Sequence, residues 1–597
     1  MRWSGMPART KAGFAHVSSL RGPILLVLVG LCSLPTFGQP FRQLDRRAYP
    51  QGTYVAPLAE PLSLSGSFGE VRARHFHAGT DLRTGGQEGQ PVYAVAEGQI
   101  VRISIATKGY GLALYVAHPN GSMSVYGHLQ RFVPEVAEWV RAQQYAQQQY
   151  VTELYPQAGQ FPVLPGQVIA YSGNTGSSGG PHLHFELRLT EGNVPYNSYL
   201  SGVRYADTAP PQFFRLYTYA IDTARYGESL RRRKVVRVLG SKGRYYVPDT
   251  LVLPSPCGLG VEVRDPVNPR SLVCNVAGLQ MLLDTGMRYA FNVDQVAFEE
   301  THYADAHIDY QLYIQSKKRV HLLFRLPGNL LSRSAAMGRG LLALPCGEVR
   351  RVTIVAYDIA GNRSTLHLTV KGGAPVPAGA ETRLPKIPWA RGGTLQGDSF
   401  TLQVPPMTLY YDLGIRAEAL WRDTADFAPA VDIGPDGTPL HRPCQLKINT
   451  KGVPEALRDK LYLGRWNARG KRYEYYATPV RQGDVYECSL REFGRYALQV
   501  DSMAPAVRYR GLRTICHRNV TGSDRLTFHV GDRGSRVAKL EGLVDGSWML
   551  LEYEPKAGRA VYMLDSSRIA PRTTHQLWLR VSDELGNASE VSCPFVW

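Results

Sequence analysis

Cysteine is missing from residues 39–202, although the 597-residue chain contains eight cysteines. Seven of the eight follow residue 202, and no two are spaced as the CxxC pair that indicates a metal or redox site. Seven is an odd number, so at least one of these thiols stays unpaired within the chain. In an oxidising compartment three pairings remain open: Cys257/Cys274, Cys444/Cys488 and Cys516/Cys593.

Long apolar runs are also missing, because no stretch reaches the 18 or so residues that a membrane span needs. The apolar segment 24–31 is short, follows a basic start and precedes small residues at positions 36 and 38, which predicts a secretory signal peptide over residues 1–38. Cleavage at Cys32 as a lipoprotein is disfavoured because Leu31 is large. We therefore expect an exported protein of the periplasm, the cell envelope or the exterior, without a transmembrane segment after cleavage.

The charge is uneven along the chain. The net formal charge is +18, of which the first 38 residues supply four, whereas residues 39–202 balance 11 basic with 11 acidic side chains. The remaining +14 of residues 203–597 suits an anionic cell-envelope polymer or a membrane surface, unless these charges serve solubility alone. No dense basic run is interleaved with aromatic residues, so nucleic acid is not an expected partner.

The length predicts about four domains, and 59 Gly with 34 Tyr favour β-structure, so the expected fold class is all-β and multidomain. Residues 39–202 alternate short β-like runs with Gly-rich turns, which predicts an antiparallel β-domain. Residues 132–165 differ, because Ala, Glu and Gln dominate and apolar side chains recur at helical spacing. We interpret them as a helical insertion, with the helix over residues 134–154.

Two short sequence motifs recur after residue 202. An opening Asp-x-x-Pro-like segment begins at Asp207 and again at Asp501, and a closing Asp…Gly-Asn turn begins at Asp358 and again at Asp583. Strand-like segments flank each turn, which predicts Ig-like β-sandwich modules over residues 203–370 and 501–597, joined by a Pro-rich linker over 371–388 and a β-rich domain over 389–500. These aspartates could bind Ca²⁺, but capping of the turns is the favoured interpretation.

The residues that indicate chemistry all lie in the neutral domain. They are His77-Ala-Gly-Thr-Asp81, Tyr126-Gly-His128 and Gly180-Pro-His182-Leu-His184-Phe-Glu186. Side chains alternate along a strand, so His182 and His184 share one face, and Tyr126 and His128 are expected to share another face turned to the same cleft.

Two imidazoles and a carboxylate form a catalytic zinc set that leaves a fourth position for water, and His77, Asp81 and His184 supply them. Hydrolysis of an amide also needs a proton acceptor and a donor facing the developing oxyanion, and the remaining histidines, His128 and His182, fit these roles. The chain has no HExxH helix motif, so a thermolysin-like site is excluded.

In these motifs and their order, residues 62–190 resemble the lysostaphin-type or LytM-type zinc metallopeptidases, which cut peptide cross-links in bacterial peptidoglycan. The resemblance implies one Zn²⁺ held by His77, Asp81 and His184, with His128 and His182 as the catalytic histidines. His75 is a less favoured candidate than His77 for the first zinc ligand, because only His77 has the four-residue spacing to Asp81. Glu186 is expected either to orient a ligand or to form a structural salt bridge.

Three functions follow from this resemblance and the charge pattern. The favoured one is an exported zinc endopeptidase acting on peptidoglycan. Some members of the family have lost metal ligands and activate separate amidases, so a non-hydrolytic wall-binding or amidase-regulating protein is the alternative, although all five site positions are filled here. A surface adhesin, acting through residues 203–597, is the third. The insertion 132–165 could cover the substrate groove or be a peripheral elaboration.

Overall fold

The computed structural model describes residues 45–52, 54–267, 274–377, 384–421, 427–510 and 514–597. The predicted signal peptide, residues 1–38, lies outside the described residues. The described chain is mostly β-structure with predominantly antiparallel sheets, so the predicted all-β, multidomain fold class is confirmed. No helix in the described ranges is both long and apolar enough to cross a membrane.

The first β-domain is built on one antiparallel sheet of eleven strands with a separate two-stranded hairpin. Its elements are β1 (Leu64–Gly66), β2 (Val71–Arg72), β3 (His75–Phe76), β4 (Thr80–Arg83), β5 (Pro91–Tyr93), β6 (Gly98–Ile105), β7 (Leu112–Ala117), β8 (Ser122–Phe132), α1 (Pro134–Gln147), β9 (Thr152–Leu154), β10 (Pro162–Val163), β11 (Val168–Ser172), β12 (His182–Leu189) and β13 (Val194–Tyr196). The order β1-β4-β12-β8-β7-β6-β10 places β4, β12 and β8 side by side in the middle of the sheet.

Strand β12 shows how the sheet separates its two faces. Leu183, Phe185 and Leu187 are buried in the hydrophobic core of this domain. Because side chains alternate along a strand, His182 and His184 project from the opposite face. The register of β12 with β4 pairs His184 with Asp81. The alternation therefore separates a packed apolar face from a polar one.

The predicted helical insertion contains a helix that is shorter than expected. Helix α1 begins at Pro134 as predicted but ends at Gln147, because Gln148 adopts a left-handed conformation with φ of 50°. Residues predicted as its last turn form β9, which pairs with the edge of β6. Val136 and Val140 bury the inner face of α1 in the core of the first domain.

Residues 203–377, called here the first module, form two facing sheets and three short helices. The four-stranded sheet contains Arg233–Arg237, Gln212–Ala220, Cys257–Arg264 and His321–Leu322. The eight-stranded sheet contains Leu239–Ser241, Arg244–Tyr246, Arg363–Pro375, Val349–Tyr357, Gly278–Leu283, Gly286–Asn292, Ser334–Ala336 and Leu251–Ser255. The helices are Tyr226–Arg231, Ala304–His307 and Tyr310–Ser316.

The predicted linker 371–388 is partly strand. Arg363–Pro375 continues into its first residues, and Lys386–Ile387 pairs with Leu413–Gly414 near its end. Residues 378–383 lie outside the described residues.

Residues 384–500, the middle region, contain two five-stranded sheets. One has Gly393–Gln396, Phe400–Val404, Cys444–Asn449, Val485–Leu490 and Val480–Gln482, and the other has Arg416–Leu420, Ala430–Gly434, Gly494–Val500, Leu461–Asn467 and Arg472–Ala477.

Residues 501–597, the last module, contain two four-stranded sheets. One has Ala506–Tyr509, Arg525–Gly531, Arg559–Met563 and Glu552–Glu554, and the other has Ser547–Trp548, Val537–Val544, Thr574–Asp583 and Ala588–Val596. This module has its own hydrophobic core.

Of the three cysteine pairings left open by the sequence, one is formed. Cys516 and Cys593 make a disulfide within the last module. Cys257, Cys274, Cys444 and Cys488 are buried free thiols, and Cys346 is an exposed one. The pairings Cys257/Cys274 and Cys444/Cys488 are therefore absent.

Candidate metal centre

Three side chains of types that can bind a metal converge where β4 and β12 lie side by side. His77 follows β3, Asp81 lies in β4 and His184 in β12, and all three are buried. The Nε2 atom of His77 lies 3.0 Å from Nδ1 of His184, and Oδ1 of Asp81 lies 3.1 Å and 2.9 Å from these two nitrogens. Tetrahedral zinc separates its ligand atoms by about 3.3 Å, so this triangle needs to open only slightly to hold the ion.

The hydrogen bonds of the two histidines leave the correct nitrogen free for a metal. Nδ1 of His77 donates to the carbonyl oxygen of Ser67 at 2.9 Å, so its Nε2 is the free nitrogen. In His184 the arrangement is reversed, because Nε2 donates to Oε1 of Glu186 at 2.8 Å and Nδ1 faces Asp81. Metal-binding histidines in proteins typically donate their other ring nitrogen to a carbonyl or a carboxylate. The residues present therefore fit zinc.

The electrostatics of the cluster follow from burial and from close charges. Burial opposes the charge on His184, but hydrogen bonds to Asp81 and Glu186 outweigh it and raise the pKa of His184 to about 9. Burial also opposes the charge on Asp81, yet His77 and the hydrogen bonds from His182 and His184 hold the pKa of this carboxyl well below its usual value. Burial lowers the pKa of His77. In the metal-free protein, Asp81 is thus ionised and a proton resides on His184.

Two more histidines flank the cluster with matching tautomers. Nδ1 of His128 donates to the carbonyl oxygen of Thr175 at 2.9 Å, and Nδ1 of His182 donates to that of Gly180 at 2.8 Å. Their ring centroids are 4.8 Å apart, and Nε2 of His182 lies 3.4 Å from Oδ1 of Asp81. Burial, followed by repulsion from the neighbouring histidines, lowers the pKa of His128 to about 3, so this imidazole is neutral near pH 7.

Tyr126 does not share a face with His128, and this expectation from strand alternation is wrong. The ring of Tyr126 packs against Phe185 in the core, and its hydroxyl accepts a hydrogen bond from the backbone N–H of Val95. His128 has a φ of 58°, and the pairing of β8 shifts register around it. The irregularity turns His128 to the polar face while Tyr126 stays in the core. The cleft therefore receives three side chains from the two strands rather than four.

Comparison with known proteins identifies the domain that contains this cluster. Residues 75–197 match peptidase family M23, and residues 385–501 match the Zu5-like domain. The chain is 34% identical to the murein hydrolase activator EnvC of Escherichia coli over 104 residues, which is 17% of this chain and 19% of EnvC. It is 32% identical to the DD-carboxypeptidase/endopeptidase Mpg of Neisseria meningitidis over 113 residues, 19% of this chain and 20% of Mpg.

The match thus spans about a fifth of the length of these two relatives. The lipoprotein NlpD of Yersinia enterocolitica is covered almost completely, with 30% identity over 115 residues, 19% of this chain and 94% of NlpD. The chain belongs to peptidase family M23. Residues 45–202 are called the M23 domain below.

Arg72 is a member of the site that sequence analysis missed. Its guanidinium contacts Oδ2 of Asp81, the carboxylate oxygen that is turned away from the histidines, and lies 3.3 Å from Glu70. Gly66 leaves room for this contact, because a Cβ there would lie 2.5 Å from Nη2 of Arg72 and 2.8 Å from Oδ2 of Asp81. Arg72 precedes the residues that match the family, and an isolated arginine nine positions before Asp81 carries no sequence signal.

The sequence left open whether Glu186 orients a ligand or forms a salt bridge, and it does both. It accepts a hydrogen bond from His184 and forms a salt bridge of 2.6 Å with Arg188. Tyr110, a second missed residue, donates a hydrogen bond to the same carboxylate at 2.6 Å and lies beside the ring of His184.

His75, the alternative to His77 as a ligand, is exposed and lies outside the cluster; its Nδ1 donates to the carbonyl oxygen of Ala73. Of His75 and His77, only His77, the histidine at the expected spacing, contacts Asp81.

The last module touches the M23 domain at two places, one of them close to the site. Tyr145, on the outer side of α1, packs edge-on against Trp548 and beneath the guanidinium of Arg568. Lys556 contacts the carbonyl oxygens of Asn174 and Ser178, in the loop that leads to His182. Helix α1 is thus sandwiched between the core of its own domain and the last module.

Proposed function

We propose that the M23 domain is a zinc-dependent endopeptidase that hydrolyses peptide cross-links of bacterial peptidoglycan. The observation that carries the proposal is the convergence of His77, Asp81 and His184 on one point, with His128 and His182 beside it. The hydrogen bonds made by Nδ1 of His77 and Nε2 of His184 leave the other ring nitrogen of each histidine facing Asp81. The name of the relative Mpg, a DD-carboxypeptidase/endopeptidase, supports the same reaction class.

His77, Asp81 and His184 would hold one Zn²⁺ in this domain. When bound, zinc polarises the scissile carbonyl and makes a water molecule acidic enough to attack near neutral pH. Glu186 keeps His184 in the tautomer that presents Nδ1, and Arg72 holds the second oxygen of Asp81. These two residues orient the ligands and do not touch the substrate in this proposal.

Proton transfer is assigned to the remaining histidines from their hydrogen bonds. His128 is neutral and its Nδ1 carries the proton, so its Nε2 is an acceptor for a proton of the attacking water. Nε2 of His182 lies 3.4 Å from Oδ1 of Asp81, at the edge of the cluster. With His128 as the acceptor, we assign His182 as the donor that faces the developing oxyanion.

The test is digestion of purified sacculi by the chain lacking residues 1–38, with mass spectrometry of the released muropeptides. We expect cross-link-cleaved fragments from the wild type, and none after chelation or in the His184→Ala variant. His75→Ala is the matched control, because this exposed histidine sits two residues from a proposed ligand and contacts none of the five site residues. Wild-type protein that carries one zinc and releases nothing would contradict the proposal.

A second candidate is a non-hydrolytic regulator that uses the same groove to bind peptidoglycan or an amidase. Two observations favour it: the relative EnvC is named a murein hydrolase activator, and Lys556 of the last module contacts the loop preceding His182. Stimulation of a purified amidase by both the wild type and His184→Ala, without cross-link cleavage by either, would support this candidate over the peptidase.

We further propose an exported location and the domain division stated from the sequence: a signal peptide over 1–38, the peptidase domain over 39–202, and β-rich modules beyond. The basic excess of residues 203–597 would bind anionic cell-envelope polymers. Co-sedimentation of the chain with such polymers should weaken steeply as salt rises, because exposed charges are screened. Binding that is insensitive to salt would contradict this electrostatic interaction.

A further inference from the structure

Three aspartates of the first module converge away from the zinc cluster. Asp207 precedes the strand Gln212–Ala220, Asp265 directly follows Cys257–Arg264, and Asp358 directly follows Val349–Tyr357. The first two strands are antiparallel neighbours and the third belongs to the facing sheet. One oxygen from each carboxylate lies within 4.8 Å of the other two.

Two of the carboxylates carry oxygens that are buried without a hydrogen-bond partner. Asp265 is only 4% exposed, and its Oδ1 has no partner. Oδ2 of Asp207 is likewise buried and unpartnered. Among the described residues, no lysine or arginine forms an ion pair with these two or with Asp358. A buried carboxylate without a donor or a cation is costly, so the cluster is incomplete as a purely protein structure.

The third carboxylate is held rigidly in place. Asp358 accepts hydrogen bonds from the backbone N–H groups of Gly361 and Asn362, at 2.7 and 2.9 Å, and from the side-chain amide of Asn362 at 2.8 Å. The same amide lies 3.3 Å from the carbonyl oxygen of Asp207. The predicted capping of this turn thus accounts for Asp358 but leaves Asp207 and Asp265 unexplained.

We propose that Asp207, Asp265 and Asp358 form a binding site for Ca²⁺. Ca²⁺ prefers hard oxygen ligands, takes six to eight of them and accepts carbonyl oxygens and water beside carboxylates. Zinc sites in proteins usually include histidine or cysteine donors, such as the two imidazoles of the M23 cluster, and the aspartate cluster has neither. A divalent cation offsets two of the three negative charges and coordinates the unpartnered oxygens. The inference does not depend on the peptidase activity.

Titration behaviour is consistent with this site. Burial, and then the neighbouring carboxylates, raise the pKa of Asp265 to about 9 and that of Asp207 to about 7. Without a cation the cluster therefore retains protons near neutral pH, and binding of Ca²⁺ displaces them.

The last module repeats the arrangement at the same place in its fold. Asp501 precedes Ala506–Tyr509, Asp532 directly follows Arg525–Gly531, and Asp583 ends Thr574–Asp583, and these three also converge within 4.8 Å. Asn587 bridges Asp583 and the carbonyl oxygen of Asp501, as Asn362 does in the first module. Asp532 is partly exposed, so the proposal rests on the first cluster.

The site lies at the junction between the M23 domain and the first module. Val267 and Cys274, which follow Asp265 in the chain, and Tyr357 and Ile359, on either side of Asp358, pack into the hydrophobic core of the M23 domain. A cation at this point would link Asp207, in the segment that leads into the module, to Asp265 and Asp358 at the ends of two strands. Ca²⁺ is therefore expected to stabilise the junction.

The experiment measures Ca²⁺ binding and thermal unfolding of the full zinc-loaded chain. We expect isothermal titration with Ca²⁺ to show binding in the range of about 0.1–1 mM, typical of extracellular modules. Asp265→Asn should bind one Ca²⁺ fewer per chain, whether or not the second cluster binds. About 5 mM Ca²⁺ should raise the Tm of the wild type by about 3 °C and that of Asp265→Asn by less.

Controls separate loss of the site from loss of the fold. Asp249→Asn, at an exposed aspartate of the same module, should keep the wild-type stoichiometry, and His184→Ala should bind Ca²⁺ normally. In EGTA the Tm of Asp265→Asn should stay close to that of the wild type, because a neutral amide then replaces a carboxyl group that is already protonated. If this variant misfolds, Asp207→Asn replaces it. No Ca²⁺ binding by the wild type, equal stoichiometry in the variant, or an equal response to Mg²⁺ would overturn the proposal.

Discussion

Glu186 accepts a hydrogen bond of 2.8 Å from Nε2 of His184, and its other oxygen accepts one of 2.6 Å from Arg188. Burial opposes its charge, but Arg188 and His184 lower the pKa of Glu186 to about 2. The carboxylate is therefore a permanent acceptor that fixes the tautomer of His184. The nitrogen left free is the one that faces His77 and Asp81.

Glu186→Gln should weaken zinc binding by about 10- to 100-fold, because an amide is a poorer acceptor and no longer makes the imidazole more basic. Competition with a fluorescent zinc chelator measures the change. Glu191→Gln, at an exposed acid that follows the same strand, is the matched control and should bind zinc like the wild type. Unchanged affinity in Glu186→Gln would show that the hydrogen bond does not orient the ligand.

Zinc affinity should depend on pH through His184. Its pKa is raised to about 9 in the metal-free protein, so below pH 9 a proton must leave before zinc binds, and affinity should fall by about tenfold for each pH unit. Above pH 9 this dependence should vanish. Chelator competition between pH 6.5 and 10 tests it. An affinity that is flat from pH 7 to 9 would mean that His184 is already neutral there.

Tyr126→Phe should destabilise the M23 domain while leaving its catalytic chemistry intact. The hydroxyl accepts hydrogen bonds from the N–H of Val95 and from Ser124, both at 3.0 Å, and removing it leaves buried donors unpaired, at about 1–3 kcal/mol. Denaturant unfolding measures the loss, and Tyr155→Phe, at an exposed tyrosine, is the control. A large fall in kcat at unchanged stability would place Tyr126 in the cleft after all.

Gly66→Ala should lower zinc affinity, because its Cβ would collide with Arg72 and with the oxygen of Asp81 that Arg72 contacts. Arg72 can move, but only by giving up its contact with the ligand. Gly531→Ala is a matched control, since its Cβ would meet nothing within 4 Å. The measurement is zinc content after dialysis against a weak chelator. Equal zinc retention by both variants would argue against a role for Arg72 in orienting Asp81.

Loss of the disulfide should destabilise chiefly the last module. Cys516 and Cys593 are 77 residues apart, and a loop of this length corresponds to about 4 kcal/mol of stabilisation. Cys516→Ser should therefore lower the Tm of the last module, while Cys346→Ser, at an exposed free thiol, should not. Calorimetry resolves the transitions. The M23 domain contains no cysteine, so its unfolding transition should be unchanged by reductant.

The sequence was sufficient to predict that His77, Asp81 and His184 come together, because two short-range rules govern their placement. The four-residue spacing of His77 and Asp81, and the alternation of His182 and His184 along one strand, are local properties of the chain. Alternation failed at His128, where a positive φ changes the face that the side chain occupies. Pro134 was sufficient to predict where helix α1 begins. Its end could not be predicted locally, because it depends on the pairing of β9 with β6.

By itself, then, the sequence determined the all-β class, the helix start at Pro134 and the residues proposed to hold zinc, because local spacing and periodicity encode them. Only the tertiary structure decided that Arg72 contacts Asp81, that Tyr126 leaves the cleft, and that Asp207, Asp265 and Asp358 meet with unpartnered oxygens. Each of these depends on strands that are distant in the chain becoming neighbours, and no short-range pattern records which strands will pair.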